Sequence, residues 1–361
     1  MQIGIIGFPY SGKTTLFQTI SQIHIDPNVT TKKDSNQAIV KVPDERLDKL
    51  TEIFKPKKKV NATIDFVDFA GFQNIEQKGG IFNTQFLTKA KTMDAIIHVV
   101  RGFNDDSIPH ILTTINLERD IQNLEDEFIL ADFAFVETRL EKLQKDLMKQ
   151  KNKDDVEKEI SEMNRWKEKL EQNIPLREIE FDENNTKFLK NYQPLSAKPL
   201  LIALNLNESD VRVKDDIINR VSSKFKSDKV DIVPFFAKIE LELSQLEEDE
   251  KLEFMKDYGL EGSPLNRLIQ SAYTLLGLQS FFTVGEDETR SWTIKKGMTA
   301  QESAGTIHTD FYNKFIRAEV VSYDDFIREG SIAKCKEKGL FRLEGKEYIV
   351  KDGDILNIRH S

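Results

Sequence analysis

The sequence predicts an α/β chain: a phosphate-loop nucleotide domain, interrupted by an antiparallel helical coiled coil and followed by a small β-grasp module. Three observations predict it. The stretch "GFPYSGKTT" (7–15) follows the apolar run "IGIIG" and fits G-x-x-x-x-G-K-[ST]. Two heptad stripes occupy the middle of the chain. A last set of short strands, with a "KDGD" tight-turn signal, closes it.

The phosphate loop comes first. Successive backbone N–H groups in such a loop point inward and form an anion nest. The helix expected to begin near Gly12 adds its positive dipole end. Lys13 supplies a point charge for the terminal phosphates, and the Thr14 hydroxyl is a hard oxygen ligand for magnesium. The flanks agree: Ile3, Ile5 and Ile6 precede the loop, and Leu16, Phe17 and Ile20 follow at helical spacing.

Residues 1–128 read as alternating strands and helices. "QIGIIG", "ATIDFVDF" and "AIIHVV" are short, apolar and followed by Gly, Asp or Asn, as in a mostly parallel sheet buried on both faces. "DFAG" (68–71) sits at a strand end. Asp68 there can hold magnesium opposite Thr14, and Gly71 lets a backbone N–H approach the terminal phosphate. Many phosphate-loop hydrolases place Gln next, to orient water. Here Phe72 offers no donor or acceptor, so another group must position the water or hydrolysis is slow.

Residues 129–195 change character. Phe133, Val136, Leu140, Leu143 and Leu147 are spaced 3, 4, 3, 4, and a second stripe runs Val156, Ile160, Met163, Trp166, Leu170, Ile174. The polar "KQKNKDD" separates them, and Pro175 should end the second. Either these helices form a protruding antiparallel hairpin or they lie on the main domain. Their charged outer faces favour the hairpin.

Strand signals resume with "KPLLIALN", ending at Asn205, and "VDIVPFFAK", ending at Lys238. The helical segment is therefore an insertion. A helix through "NRLIQSAYTLLGL" (266–278) closes the nucleotide domain, which spans 1–128 and 196–278. In 279–361, "SWTIKKG", "IRAEVVSY" and "EYIVKDGDILNIR" read as strands and "TAQESAGTIHTDF" as a helix, a mixed-sheet β-grasp pattern.

The base is read at the end of "LLIAL". Guanine-specific enzymes of this class carry N-K-x-D there, the Asp accepting from guanine's ring N–H and amine. This chain has "NLNE": Leu206 stands for the Lys and Glu208 for the Asp. The longer carboxylate crowds or misses the donor pair, which removes the rejection of other bases, so adenine is expected. Helix capping by Asn205 remains open as a second role.

Composition bounds the rest. The net charge of -9 argues against a nucleic-acid-coated or membrane-flattened protein, and no sequence-specific DNA binding is expected. One cysteine, Cys335, cannot form an internal disulfide. With no apolar run of spanning length and no basic leader before the loop, a soluble cytoplasmic protein is expected.

Several stretches together carry a resemblance: "VPDERLDKL", "FVDFAGF", "NTQFLTKAK", "IIHVVRGFNDDSIPHI", "ILADFAFVETRLEKL", "NLNE", "AKIELEL", and the C-terminal "SWTIKKGMTAQESAGTIHTDFYNKFIRAEVVSYDDFI" and "EGKEYIVKDGDILNIR". The chain resembles the YchF / Obg-like ATPases, a branch of the phosphate-loop GTPase class with a Ras-like nucleotide domain, and the likeness runs nearly end to end. It implies a C-terminal TGS module, ATP preference, and association with the ribosome or translation machinery. By position, Tyr10, Ser11, Gly12, Lys13, Thr14, Thr15 and Leu206 would line ATP. Asp68, Gly71, Asn205, Glu208 and Ala237 complete the nucleotide set, with Thr14 and Asp68 as magnesium ligands. His110, in "DSIPHI", matches a histidine the family is thought to use in place of the missing glutamine. Its near-neutral proton equilibrium suits that task, although a surface helix-start role is equally open. His98 sits inside an apolar strand and reads as packed.

Three departures follow. Tyr10 replaces a usual Asn that helps hold potassium, so potassium stimulation is in doubt. His24 stands where the family carries a magnesium-binding Thr, in a shortened loop where Thr30 or Thr31 could substitute. The family's cysteines near these loops are absent. The expectation is a slow magnesium-dependent ATPase acting as a nucleotide-controlled switch at the ribosome. The alternatives are a non-hydrolysing ATP sensor that docks there and a true GTPase, the latter opposed by "NLNE".

Overall fold

The computed structural model describes residues 1–24, 37–69, 84–148, 153–260 and 262–361. The strands are β1 (Gln2–Ile6), β2 (Gln37–Lys41), β3 (Lys58–Val60), β4 (Thr63–Asp68), β5 (Ala95–Arg101), β6 (Leu200–Asn205), β7 (Val230–Phe235), β8 (Leu278–Thr283), β9 (Glu288–Lys295), β10 (Phe315–Ser322), β11 (Arg342–Glu344) and β12 (Asp354–His360). The helices are α1 (Lys13–His24), α2 (Glu45–Phe54), α3 (Thr84–Lys91), α4 (Leu117–Met148), α5 (Lys153–Glu171), α6 (Glu183–Tyr192), α7 (Lys214–Phe225), α8 (Ala237–Leu243), α9 (Glu248–Asp257), α10 (Pro264–Leu275), α11 (Ala300–Ile307), α12 (Thr309–Asn313), α13 (Tyr323–Glu329) and α14 (Ile332–Glu337). Two compact units result. One contains Met1–Ile23 and Asp65–Leu275, the other Ile39–Ile64 and Leu276–Ser361.

The first unit is built on parallel strands in the order β4-β1-β5-β6-β7. β5 and β6 are buried at every position, which explains why they read as unbroken apolar runs rather than alternating ones. Because all five strands run the same way, Gly7, Asp68, Arg101, Asn205 and Phe235 arrive together at their C-terminal ends. That edge is where open α/β sheets place their ligands.

The inserted helices form a hairpin, but it has no break at its base. α4 runs 32 residues. Its first half gives Ile121, Leu124 and Phe128 to the sheet core. Its second half gives Val136, Leu140 and Leu143 to a separate core with Met163, Trp166 and Leu170 of α5. The heptad stripe thus begins partway up a helix already anchored below. α5 stops at Glu171, ahead of Pro175, because Asn173 takes the left-handed conformation (φ 57) that ends helices. The sequence reading missed α6. Asp182 caps it, and Phe188, Leu189 and Tyr192 fold back on the hairpin core. At the joint, buried Asp132 accepts from the N–H groups of Leu195 (2.9 Å) and Ser196 (2.7 Å) and from Ser196 Oγ (2.7 Å).

The second unit is a mixed six-stranded sheet, β11-β10-β12-β8-β9-β3. β8 pairs antiparallel with β9 and parallel with β12, and α11 begins with a Thr299–Glu302 capping box. The expected helix "TAQESAGTIHTDF" is interrupted at His308, which ends α11 and caps α12. Residues 39–64, counted with the nucleotide domain in the sequence, cluster here. Leu47 and Leu50 of α2 pack with Phe282, Val321 and Phe326. Arg46 donates to Asp44 (2.9 Å) and to Asp352 of the "KDGD" turn (2.7 Å).

In the first unit, Glu240 of α8 is 1% exposed and accepts from Leu265 N–H (2.8 Å) at the start of α10. Burial pushes its carboxyl up to about 7, against the opposing hydrogen bonds. The native state therefore holds a proton that the unfolded chain releases near pH 4.5. This group's contribution to stability is fullest at low pH and falls as pH rises toward 7, by at most about 3 kcal/mol. Glu240→Gln, which keeps an acceptor for Leu265, is expected to resist urea better than the wild type at pH 8 and to match it at pH 5. Equal differences at both pH values in urea unfolding curves would refute this.

Candidate functional site

The loop between β1 and α1 is fixed by two glycines. At Gly7 (φ 153) a Cβ would stand 2.3 Å from Val99 O, and at Gly12 (φ 97) one would stand 2.2 Å from Asn205 Nδ2. Neither position admits a side chain. Tyr10 holds a left-handed conformation (φ 62), uncommon for a residue with a Cβ, and its side chain is exposed. Ser11 N–H donates to Phe8 O (3.3 Å), and α1 starts at Lys13, leaving the first-turn N–H groups without helical acceptors. No acidic residue stands in that turn to compete with an anion.

Lys13 is 6% exposed, and its Nζ donates to Phe8 O at 2.7 Å. Burial pushes its ammonium down to about 8, with the Asp68 carboxylate pulling the other way. Asp68 ends β4 opposite Ile5 and is itself buried. The hydroxyl of Thr14 and the carboxylate of Asp68 are hard oxygen donors, which suits magnesium completed by phosphate oxygens and water. A buried carboxylate beside a buried ammonium also fits a site meant for a charged complex. Among the described residues, no cluster of three His, Cys, Asp or Glu offers a rival metal site. Gly71, Phe72, Thr30 and Thr31 lie outside the described residues.

Asn205 joins the two halves of the site. Its Nδ2 donates to Ser11 O (2.9 Å) and its Oδ1 accepts from Ala237 N–H (3.2 Å). It therefore ties the phosphate loop to Ala237, the first residue of α8, and satisfies that helix's first N–H rather than capping the turn after β6. Capping falls to Asn207, which forms a box with Asp210. Leu206 is buried, its N–H bonded to Phe235 O (2.9 Å). Glu208 is not presented alone: Lys238 Nζ lies 2.6 Å from its Oε1.

His110 stands apart from this set. Its Nδ1 accepts from Leu112 N–H (3.1 Å) and its Nε2 lies 3.0 Å from Asp120 Oδ2. The side chain is 5% exposed, so it is not a surface residue, and the described contacts tie it to α4 rather than to the phosphate loop. Sequence reasoning missed Arg101, whose guanidinium donates to Phe103 O (3.2 Å) and Ile108 O (2.7 Å) and shapes the segment leading to His110. Its place at the end of a buried strand was the available signal. His98 lies buried edge-on to Phe8, and burial, helped by the Lys13 charge, pushes its imidazole down to about 3.

A family model described as a 50S ribosome-binding GTPase matches residues 2–176, and the YchF-GTPase C-terminal model, described as a protein of unknown function, matches 278–361. The Ribosome-binding ATPase YchF of Bacillus subtilis (strain 168) is 42% identical over 362 residues, covering 99% of this chain and 98% of that one. The protein of the same name in Pasteurella multocida (strain Pm70) is 41% identical over 361 residues, covering 99% and 98%. The solved Schizosaccharomyces pombe YchF GTPase shares 31% identity with a TM-score of 0.88, covering 99% of this chain and 97% of that one. With such identity over nearly its whole length, on the backbone of a solved relative, the chain belongs to the YchF family.

Proposed function

We propose that this protein binds ATP with magnesium, hydrolyses it slowly, and uses the nucleotide state to control docking on the ribosome in the cytoplasm. Two relatives are named ribosome-binding ATPases, while the solved relative is titled a GTPase. One observation supports adenine: where a guanine site needs a lone carboxylate, Glu208 is paired with Lys238. No described helix is long and apolar enough to cross a membrane.

Each residue has a stated task. The N–H groups of residues 10–15 and the Lys13 ammonium take the phosphates. Thr14 and Asp68 hold magnesium, which bridges phosphate oxygens and neutralises developing charge. Asn205, Leu206 and Ala237 form the floor under the purine. His110 orients the attacking water only after its ring leaves Leu112 and Asp120, which makes hydrolysis slow. That same tethering favours a second reading, a sensor that binds ATP without turning it over.

Calorimetry with magnesium is expected to give at least tenfold tighter binding of ATP than GTP; the reverse preference would overturn the assignment of the base. Asn205→Ala removes two buried hydrogen bonds that order the loop, and should weaken ATP binding by roughly tenfold or more. Unchanged affinity would take Asn205 out of the site. In single-turnover assays, His110→Ala should lower the rate about a hundredfold, and potassium in place of sodium should not stimulate the wild type, since Tyr10 has no ligand atom near the phosphates. Equal rates for the variant would remove His110 from catalysis. Wild-type decay no faster than in buffer would leave the sensor reading.

A further inference from the structure

The pair that covers Glu208 has a consequence for how the purine is read. Adenine and guanine differ at ring position N1: adenine carries a bare acceptor there, guanine an N–H donor flanked by an amine. A carboxylate accepts only, and so matches guanine, whereas an ammonium donates only, and so matches adenine. At the rim of the proposed base site, Lys238 follows directly on Ala237, whose N–H is fixed by Asn205. Its Nζ lies 2.6 Å from Glu208 Oε1 while its side chain stays 74% exposed. The ammonium pairs with Glu208 and also feels Glu242 and Tyr258, while most of its side chain is left to solvent next to Ala237.

We propose that Lys238 is the specificity-determining residue that reads the N1 edge of adenine, with Glu208 as the carboxylate that holds its ammonium in place. The acidic residue thus acts on the base through a cation, and the hydrogen-bond polarity of a guanine site is inverted. Glu208 also offsets the cost of bringing the ammonium against the ring. An ordinary surface ion pair would leave base recognition untouched, so the two roles separate cleanly.

This inference rests on the adenine reading above. The experiment uses the full-length protein, magnesium, a non-hydrolysable ATP analogue, and its 1-deaza counterpart, in which carbon replaces N1. The wild type should bind the N1-bearing ligand about fivefold more tightly than the 1-deaza one, as expected for a partly exposed charged hydrogen bond. In Lys238→Met, which keeps the aliphatic stem of an exposed residue, the two should bind within twofold of each other. A preference for N1 that survives in Lys238→Met, or that the wild type never shows, overturns the inference while the adenine assignment stands. A wild type that fails to bind the ATP analogue at all removes the adenine reading and this inference with it.

Discussion

The site depends on one side-chain amide. Asn205 is 2% exposed, and its planar carboxamide donates to Ser11 O while accepting from Ala237 N–H. A carboxamide presents a donor and an acceptor on one rigid plane at this short reach; an aspartate would set a negative charge against a carbonyl. The loop after β1 is thereby linked to the end of β6 and the start of α8, which the sheet itself does not join. Gly12 is part of the same constraint, because any side chain there would displace the amide. The phosphate loop and the purine end are therefore one object, and a strain at either is felt at the other.

The hairpin is held by a comparable economy. α4 serves two cores without interruption, Leu124 and Phe128 below and Val136 and Leu140 above. Asp132 lies at the transition and gathers the chain as it returns toward β6, through Leu195 and Ser196. Burial pushes this carboxyl up even with its hydrogen bonds in place. A helix that spans two cores cannot pivot at their boundary without losing backbone bonds, so the lower hairpin moves with the sheet. His110, set against Asp120 on the first turn of α4, therefore connects the segment after β5 to the base of that lever.

Much of this was legible in the sequence, for physical reasons that differ by element. The phosphate loop was readable because glycine placement, Lys13 and Thr14 are dictated by local backbone geometry. The hairpin showed itself through spacing, and its lower anchor did not, because Leu117 to Phe128 sit in a core made by distant strands. Helix α2 was counted with the nucleotide domain because its partners Phe282, Val321 and Phe326 lie more than two hundred residues away. The strand that precedes "NLNE" ends at Asn205, where its apolar run stops. What sequence could not supply was the Glu208–Lys238 pair, since twenty-nine intervening residues fold before the two meet.

The electrostatics beneath the loop bear on the proposed ATP switch. Lys13 is buried with its ammonium on a backbone carbonyl, and burial has pulled it down to about 8. Its charge is thus carried at a cost. His98 below is held neutral, which prevents a second cation from adding to that cost. Phosphates at the loop would give the Lys13 ammonium charge-assisted partners. Loss of the terminal phosphate after hydrolysis returns part of that cost. In the proposed switch, what the nucleotide drives is decided by the elements attached to Asp68 and Asn205.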